Sequence, residues 1–505
     1  MQLSRPLRAA LAGTLAAAVL SLAASTNAAA RGEEPSSSGA PGIVKRPKSL
    51  VIGIDGATFA SFAKAEMPRV KSLMADGMTA TGNLYANPMA PTSSGPGWSS
   101  LATGAWPDKH KVVDNSFNGA RPDLYPDYAT RLENADPTLD TLVVGTWAPI
   151  RDTVFGPAVD TRLGGVSDDD TTATAVARLG ATDVEAAFVH LDEVDGAGHY
   201  YGTGHRAYLD ALNRADTRIG RILDAVTARA AYAEENWQIV VTADHGHLPN
   251  GGHGGNSPSE RQTFVIAKGT GFAPGSVRHD VKVTDVAPTV LRHFGVAADP
   301  AWQLDGTAIG ALAPDDFDAL RPALNTRVDE LALPSTLKGW TATSPSGWTI
   351  DNSAMPAGGV TEWRGWSFAT DEFWSNTDLG QGRETNVRAR DVFAVADSDE
   401  WDDKTHGAGP FDSTLTSPAF AVSGGALATV SYATTYKVDG PQTGDVHISF
   451  DGGPRQLLRS YRADHNAHER LAVDVPPGVT TARLHFHYTG TNSAFWTIDQ
   501  VGLTL

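Results

Sequence analysis

Six side chains that can bind a metal ion occur in short glycine-containing motifs of this 505-residue chain. They are Asp55, Asp195, His199, Asp244, His245 and His253. Carboxylates mixed with imidazoles, in a chain without cysteine, suit zinc or a similar divalent ion. Because there are enough ligands for two ions, the motifs together predict a site with two divalent metal ions.

A serine pair supplies a candidate nucleophile. Ser93 and Ser94 precede Gly95 and Pro96, and these residue types favour a tight turn with a helix beginning just beyond it. Backbone N–H groups at a helix start favour a phosphate, and a metal ion lowers the pKa of a hydroxyl that binds it. Serine at such a position is also a common helix N-cap. The residues alone therefore leave open both this role and the choice between Ser93 and Ser94.

Buried strands are expected to position these motifs. Continuous apolar runs, typical of strands buried on both faces of a parallel sheet, span residues 50–54, 142–146, 186–191 and 238–242. Helical patterns separate them and span residues 60–74, 206–230 and 283–294. Strands that alternate with helices predict a doubly wound α/β domain, which we assign to residues 48–325.

The metal-binding motifs follow the ends of these strands. Asp55 follows the first run, Asp195 follows the third, and Asp244 follows the fourth. Ligands of open α/β sheets bind outside the carboxyl ends of the strands. We therefore expect all six side chains at one rim of the sheet.

The order of the motifs resembles that of the alkaline phosphatase superfamily, and most closely its type I phosphodiesterase/nucleotide pyrophosphatase branch. The segments that carry the resemblance are Asp55, Thr-x-Ser94-Gly-Pro-Gly, Asp195-x-x-Gly-His199, Asp244-His245-Gly and Gly-x-His253-Gly-Gly. The resemblance covers nearly the whole α/β domain and none of the chain beyond it. It implies an alkaline-phosphatase-like, mostly parallel sheet.

The resemblance also implies roles for these residues. Two ions are implied, and both are expected to be Zn²⁺. One would be held by Asp195, His199 and His253. The second would be held by Asp55, Asp244 and His245, with the Ser94 hydroxyl between the two ions. Asn115 matches an asparagine that contacts a phosphoryl oxygen in that branch. Ser94 would then attack phosphorus in line and form a phosphoseryl intermediate, which water would release.

The sequence departs from the branch at several positions. Gly95 and Gly97 stand where nucleotide pyrophosphatases carry Phe and Asn, so a preference for nucleotides is not implied. Trp98 is interpreted either as an aromatic face for substrate or as core. Lys111 replaces a glycine, which leaves the shape of the turn before Asn115 open. The spacing of eight residues from His245 to His253 is more similar to that of ethanolamine-phosphate transferases.

The pattern changes from about Pro334. Short alternating runs, separated by Gly, Pro, Asn and Asp, predict an all-β sandwich or jelly roll over residues 335–505, without an amphipathic helix. The clearest runs span residues 428–432, 445–450, 482–488 and 495–505. Four tryptophans are interpreted as core, with a carbohydrate-binding face as the alternative: Trp363, Trp366, Trp374 and Trp401. The acidic run 397–403 is expected to be a solvated loop, with a calcium site as the alternative.

The N-terminus predicts export. Arg5 and Arg8 precede an apolar run at 9–24 and small residues at 27–30, a pattern typical of a signal peptide spanning residues 1–30. A Gly/Pro/Ser-rich linker is expected at 31–47. The apolar run is short for a membrane span, and we expect none after cleavage. The net charge of −18 argues against nucleic-acid binding.

The sequence therefore predicts an exported, secreted or periplasmic, metal-dependent phosphohydrolase of the phosphodiesterase type, acting on a small phosphorylated substrate. The alternatives within the superfamily are a phosphomonoesterase, a phosphonate hydrolase and a sulfatase. The sulfatase motif is matched at Ser94 and Pro96, but Trp98 stands where it requires Arg. A further alternative is a secreted binding protein that contacts carbohydrate or cell-wall material through its C-terminal sandwich.

Overall fold

The computed structural model describes residues 45–85, 89–325, 339–377, 380–403 and 407–505. The predicted signal peptide and all but the last residues of the predicted linker lie outside these ranges. Among the helices within them, none combines the length and the apolar character that a membrane span requires. The first described strand begins at Arg46, two residues before the predicted start of the α/β domain.

An eight-stranded sheet forms the centre of the N-terminal region. Its strands are β1 (Arg46–Ile54), β2 (Met78–Asn83), β3 (Thr141–Gly145), β4 (Thr161–Gly164), β5 (Ala186–Leu191), β6 (Glu235–Thr242), β7 (Gln262–Lys268) and β8 (Ser276–Arg278). They lie in the order β4-β3-β5-β1-β6-β7-β2-β8. Only β7 runs antiparallel to its neighbours. The sheet is therefore mostly parallel, as predicted.

Helices cover both faces of this sheet. They are α1 (Pro68–Asp76), α2 (Ser94–Thr103), α3 (Pro107–His110), α4 (Tyr128–Ala135), α5 (Asp168–Ala181), α6 (Glu193–Tyr201), α7 (Arg206–Thr227), α8 (Pro258–Arg261) and α9 (Val286–His293). Successive side chains of a strand point to opposite faces. Leu50 and Ile52 accordingly pack with Ile219 of α7, whereas Val51 packs on the other face with Leu101 of α2. This arrangement confirms the doubly wound fold.

One predicted helix is divided. Residues 60–74 do not form a single helix, because a 3₁₀ helix spans Phe59–Ala63 and α1 begins only at Pro68. Proline disfavours the helical conformation in the residue before it and is well suited to the first position of a helix. Met67, with φ −121° and ψ 63°, accordingly stands outside the helix.

Two antiparallel six-stranded sheets form the C-terminal region. Their strands are β9 (Trp340–Thr341), β10 (Thr349–Asp351), β11 (Ser367–Thr370), β12 (Val392–Asp397), β13 (Phe411–Thr416), β14 (Phe420–Ala421), β15 (Leu427–Tyr436), β16 (Thr443–Phe450), β17 (Gln456–Tyr461), β18 (His465–Asp474), β19 (Thr481–Gly490) and β20 (Phe495–Thr504). Phe486 of one sheet and Ile498 of the other belong to one apolar core. The predicted sandwich is confirmed.

In the sandwich, the structure confirms one interpretation and corrects two predictions. The four tryptophans interpreted as core are at most 1% exposed, so they do not form a carbohydrate-binding face. The acidic run is not a solvated loop, because residues Ser398–Asp402 form the short helix α11, and α10 (Asp371–Thr377) is a second helix where none was predicted. Asp397 and Glu400 are buried and form ion pairs with Arg383, which removes the support for a calcium site.

Candidate active site

The order of the strands brings the predicted ligands together. β1 pairs in parallel with β5 on one side and with β6 on the other, so the carboxyl ends of all three strands meet. Asp55 directly follows β1, and Asp195 lies in the first turn of α6, which follows β5. Asp244 follows β6, and His253 lies in the loop between β6 and α8.

One half of the site is formed by Asp55, Asp244, His245 and Ser94. The His245 Nε2 lies 3.4 Å from the Asp55 Oδ1 and 3.3 Å from the Asp244 Oδ2. The Ser94 Oγ lies 3.4 Å from both the Asp55 Oδ1 and the His245 Nε2. All four residues are buried. The structure thus places Ser94 against the second predicted set of ligands.

The other half is formed by Asp195, His199 and His253. The His199 Nε2 lies 3.3 Å from the Asp195 Oδ2 and 3.1 Å from the His253 Nε2. The His253 Nε2 is also 3.4 Å from the Asp195 Oδ1. The two halves adjoin, because the imidazoles of His245 and His253 stack with ring centroids 3.9 Å apart. All six predicted ligands therefore belong to one cluster.

Sequence reasoning missed His247. This buried side chain places its Nε2 2.8 Å from the Asp195 Oδ1. Its possible ligand atom lies within 4.8 Å of those of Asp195, His245 and His253. The sequence does contain one indication of His247 as a further site residue, because it lies two residues after His245 in a segment that already supplies two candidate ligands.

The pKa values of the two buried carboxylates, Asp55 and Asp244, are shifted in opposite directions. Burial raises the pKa of Asp55, but the hydrogen bond and charge of His190, together with His245 and Trp98, hold it below its usual range. Burial and the negative charge of Asp55 raise the pKa of Asp244 well above its usual range. Among the described residues, the Asp244 Oδ2 has no hydrogen-bond partner. A buried carboxylate oxygen without a donor is the kind of group that a cation stabilises.

The histidines are oriented as metal ligands usually are. The Nδ1 atoms of His245, His247 and His253 lie 3.0, 3.1 and 2.6 Å from backbone carbonyl oxygens. Because a carbonyl only accepts, each Nδ1 is the donor, and a neutral ring then presents the lone pair of its Nε2. Burial, followed by the charge of His245, lowers the pKa of His253 to about 4. Nitrogen lone pairs facing carboxylate oxygens are a donor set that fits a divalent metal ion.

Two further side chains that the motifs did not reveal orient Asp55. The Trp98 Nε1 donates to the Asp55 Oδ2 at 2.9 Å, and the His190 Nε2 lies 2.9 Å from the same oxygen. The Oδ1 is thereby left facing Ser94. Trp98 is fully buried, so the interpretation of its ring as an exposed face for substrate is wrong. It packs so closely on β1 that a Cβ at Gly53 would lie 2.2 Å from the ring.

The start of α2 distinguishes the two serines. Ser93 is the N-cap in extended conformation, its side chain makes no capping hydrogen bond, and its Oγ is buried without a partner among the described residues. Ser94 is the first helical residue and directs its hydroxyl into the cluster. This geometry agrees with the choice of Ser94 that the family resemblance implied, while its role as nucleophile stays a prediction.

Asn115 lies beside this helix start. Its Oδ1 accepts a hydrogen bond from the Gly95 N–H at 2.7 Å, so its Nδ2 faces away as a donor. The residue is exposed. Lys111, at φ 63° and ψ 14°, adopts the left-handed conformation that glycine favours. The turn before Asn115 therefore keeps a glycine-like backbone although the residue differs from that of the family.

Parts of the chain are similar to known proteins. Residues 49–155 and 118–256 match the profile of the family described as type I phosphodiesterase/nucleotide pyrophosphatase. A 2,3-bisphosphoglycerate-independent phosphoglycerate mutase of Haloquadratum walsbyi is 28% identical over 154 residues, which cover 29% of this chain and 29% of the mutase. GPI ethanolamine phosphate transferase 1 of Chaetomium globosum is 31% identical over 122 residues, covering 20% of this chain and 13% of the transferase. The chain thus spans less than a third of the length of these curated relatives.

Among solved structures, murine ectonucleotide pyrophosphatase/phosphodiesterase 5 in complex with AMP aligns with a TM-score of 0.41 and 14% identity, covering 50% of this chain and 96% of that one. The strand order and the convergent ligands define the N-terminal region as an α/β domain with a candidate metal centre. The family match confirms the predicted resemblance to the type I phosphodiesterase/nucleotide pyrophosphatase branch for residues 49–256.

Proposed function

We propose that this protein is a metal-dependent phosphohydrolase that cleaves phosphodiesters with Ser94 as its nucleophile. The observation that carries the proposal is the Ser94 Oγ, 3.4 Å from both Asp55 and His245 at the start of a helix. The family match over residues 49–256 supports a phosphodiester or pyrophosphate bond as the target.

Two divalent ions, which we propose to be Zn²⁺, would be held by the Asp55 half and the Asp195 half of the cluster. When bound, they supply Lewis-acid stabilisation of the charges that develop during phosphoryl transfer. Zinc is favoured over calcium because imidazoles make up half of the predicted ligands. The Asp244 Oδ2 is buried without a hydrogen-bond partner among the described residues, so it is the oxygen that a bound cation would stabilise most.

The remaining roles, nucleophilic attack and binding of the phosphoryl group, belong to residues at and near the start of α2. Ser94 forms a bond to phosphorus as the leaving oxygen departs, which gives a phosphoseryl enzyme that water then hydrolyses. Of the first three residues of α2, Gly95 donates its N–H to Asn115 and Pro96 has none, which leaves the Ser94 N–H and the helix dipole to favour the negative charge of a phosphoryl group. Asn115, whose Oδ1 is fixed by Gly95, donates from its Nδ2 to a phosphoryl oxygen. Gly95 itself offers no aromatic ring for a nucleobase, so we do not propose a nucleotide preference.

The test compares bis-p-nitrophenyl phosphate with p-nitrophenyl phosphate, with added zinc and with chelator. We expect faster turnover of the diester, loss of activity with chelator, and a loss of at least about 100-fold in Ser94→Ala. Ser93→Ala is the matched control, because it removes the neighbouring hydroxyl, which makes no hydrogen bond to the cluster, and it should retain activity.

The other outcomes assign other functions. Faster turnover of the monoester would keep the mechanism and make the protein a phosphatase. Turnover of an aryl sulfate alone, or equal activity in Ser94→Ala and Ser93→Ala, would refute the proposal.

We also propose that the protein is exported and that residues 1–30 are removed. Because β1 begins at Arg46, this cleavage leaves every described element intact. N-terminal sequencing of the protein recovered outside the cytoplasm tests this proposal. A mature chain that still begins at Met1 would contradict it.

A further inference from the structure

We infer that His247 is a metal ligand on the Asp195 side of the centre. Neither the motif order nor the family resemblance assigns this residue. The inference rests on the metal centre of the proposed function and changes its ligand set. Asp195, His247 and His253 are then the buried or partly buried ligands of this ion, and His199 lies on the exposed side of the same half.

The contacts of His247 are those of an oriented ligand. Its Nε2 lies 2.8 Å from the Asp195 Oδ1, and its Nδ1 lies 3.1 Å from the Gly252 carbonyl oxygen. The carbonyl fixes the ring so that the Nε2 faces the carboxylate. Ligand histidines usually donate their second ring N–H to such an acceptor, which fixes the tautomer and the direction of the lone pair.

The backbone is shaped around this imidazole. A Cβ at Gly56 would lie 2.6 Å from the His247 Nε2, and a Cβ at Gly198 would lie 2.6 Å from the ring. Gly56 is also in the left-handed conformation, at φ 63°. Gly56 from the loop after β1 and Gly198 from helix α6 thus form a cradle that holds the ring against Asp195.

His199 is the less constrained histidine of this half. Its side chain is 49% exposed, whereas that of His247 is fully buried. Among the described residues, no hydrogen bond fixes the Nδ1 of His199. Its Nε2 reaches the other oxygen of Asp195, at 3.3 Å. We therefore expect removal of His247 to weaken metal binding more than removal of His199.

The test uses the full-length protein and the isosteric pair His247→Gln and His247→Glu. Metal content is measured by elemental analysis after dialysis, affinity by competition with a chromogenic chelator, and coordination by the visible absorption of the Co²⁺-loaded protein. His247→Gln should weaken the affinity of one ion by more than about 100-fold, beyond the usual effect of losing a residue that only orients a ligand. His247→Glu, which restores a ligand atom, should retain that ion.

His199→Gln is the control and should lose less affinity than His247→Gln. Melting in excess EDTA shows whether each variant folds, because the apo proteins should melt alike if His247 acts through the metal. If His247→Gln destabilises the apo protein, the comparison of affinities is made with His247→Glu and His247→Asn.

Wild-type affinity and an unchanged Co²⁺ spectrum in His247→Gln would overturn the inference, and so would a wild-type protein that binds no divalent ion. Equal losses in the Gln and Glu variants would also overturn it, since packing alone would then explain them. These readouts need no turnover. A protein that loses its ion in His247→Gln but hydrolyses no phosphate ester would refute the proposed function and retain the inference.

Discussion

At the scale of the residue, Asp55 shows how the protein directs one carboxylate oxygen at its site. Trp98 and His190 both contact the Oδ2, and the Oδ1 is left within 3.4 Å of Ser94 and His245. Hydrogen-bond partners behind a metal ligand fix its direction and often affect the affinity of the metal. The side chains behind Asp55 are therefore expected to influence metal binding without contacting the ion.

The substitution Trp98→Phe tests whether the indole N–H behind Asp55 influences metal binding, because it removes that N–H and keeps an aromatic ring. We expect metal affinity, measured by chelator competition, to fall about 10- to 100-fold. Trp106→Phe is the matched control, since Trp106 is also buried but is not among the candidate ligands or their hydrogen-bond partners. Both variants should lose about 1–3 kcal/mol of unfolding free energy from the smaller ring. Equal metal affinity in the two variants would contradict this explanation.

At the scale of the element, His110 connects α2 to the turn that leads to Asn115. Its Nε2 lies 3.0 Å from the Ser100 Oγ in α2, and its Nδ1 accepts from the Val112 N–H at 3.0 Å. The second contact requires a deprotonated Nδ1, and hence a neutral ring. Burial lowers the pKa of His110 to about 3.

The stability of this connection should depend on pH. The pKa of an unfolded histidine is about 6.5, so the unfolded chain binds the proton that the folded protein excludes. The stabilisation is complete above about pH 6.5 and declines as the pH falls toward 3, by about 1.4 kcal/mol per pH unit. Urea unfolding in EDTA between pH 7.5 and 4.5 should therefore show a shallower pH dependence for His110→Gln than for the wild type. If the unfolding free energies of the two proteins change with pH in parallel, His110 does not contribute to the pH dependence of stability.

At the scale of the whole molecule, buried ion pairs join the α/β region to the sandwich. Arg390 donates from both terminal nitrogens to Asp285, at 2.7 and 2.8 Å, and both residues are buried. Arg388 donates from one terminal nitrogen to both oxygens of Asp108 and from its Nε to Asp305. A bidentate pair such as Arg390–Asp285 fixes geometry as well as charge.

Loss of one partner should be strongly destabilising. Arg390→Ala leaves the Asp285 carboxylate buried without its cation, which should lower the free energy of unfolding by about 3–5 kcal/mol. Arg69→Ala is the control, because the Arg69–Asp224 pair is about half exposed and should contribute less than about 1 kcal/mol. Urea denaturation measures both. If Arg390→Ala lowers the free energy of unfolding by no more than Arg69→Ala does, the Arg390–Asp285 pair does not stabilise the contact between the two regions.

The amino-acid sequence by itself determined the strands that end at the site. Their apolar runs are local, and the predicted strand at 186–191 coincides with β5. Shorter or more polar strands such as β2 and β4 were missed, because their burial patterns are weaker. The acidic run was misinterpreted for a related reason: its carboxylates are buried by Arg383, and the composition of the run contains no information about that contact.

That the six candidate ligands lie together could be predicted, because each follows a strand end or lies in a glycine-rich motif. The side chains around them could not. His190 and Trp98 reach Asp55 from 135 and 43 residues away in the chain, and His247 reaches Asp195 across 52 residues. Which polar atoms face one another depends on the order of the strands and on the rotation of each side chain. Only the tertiary structure decides these, because both arise from packing between distant segments.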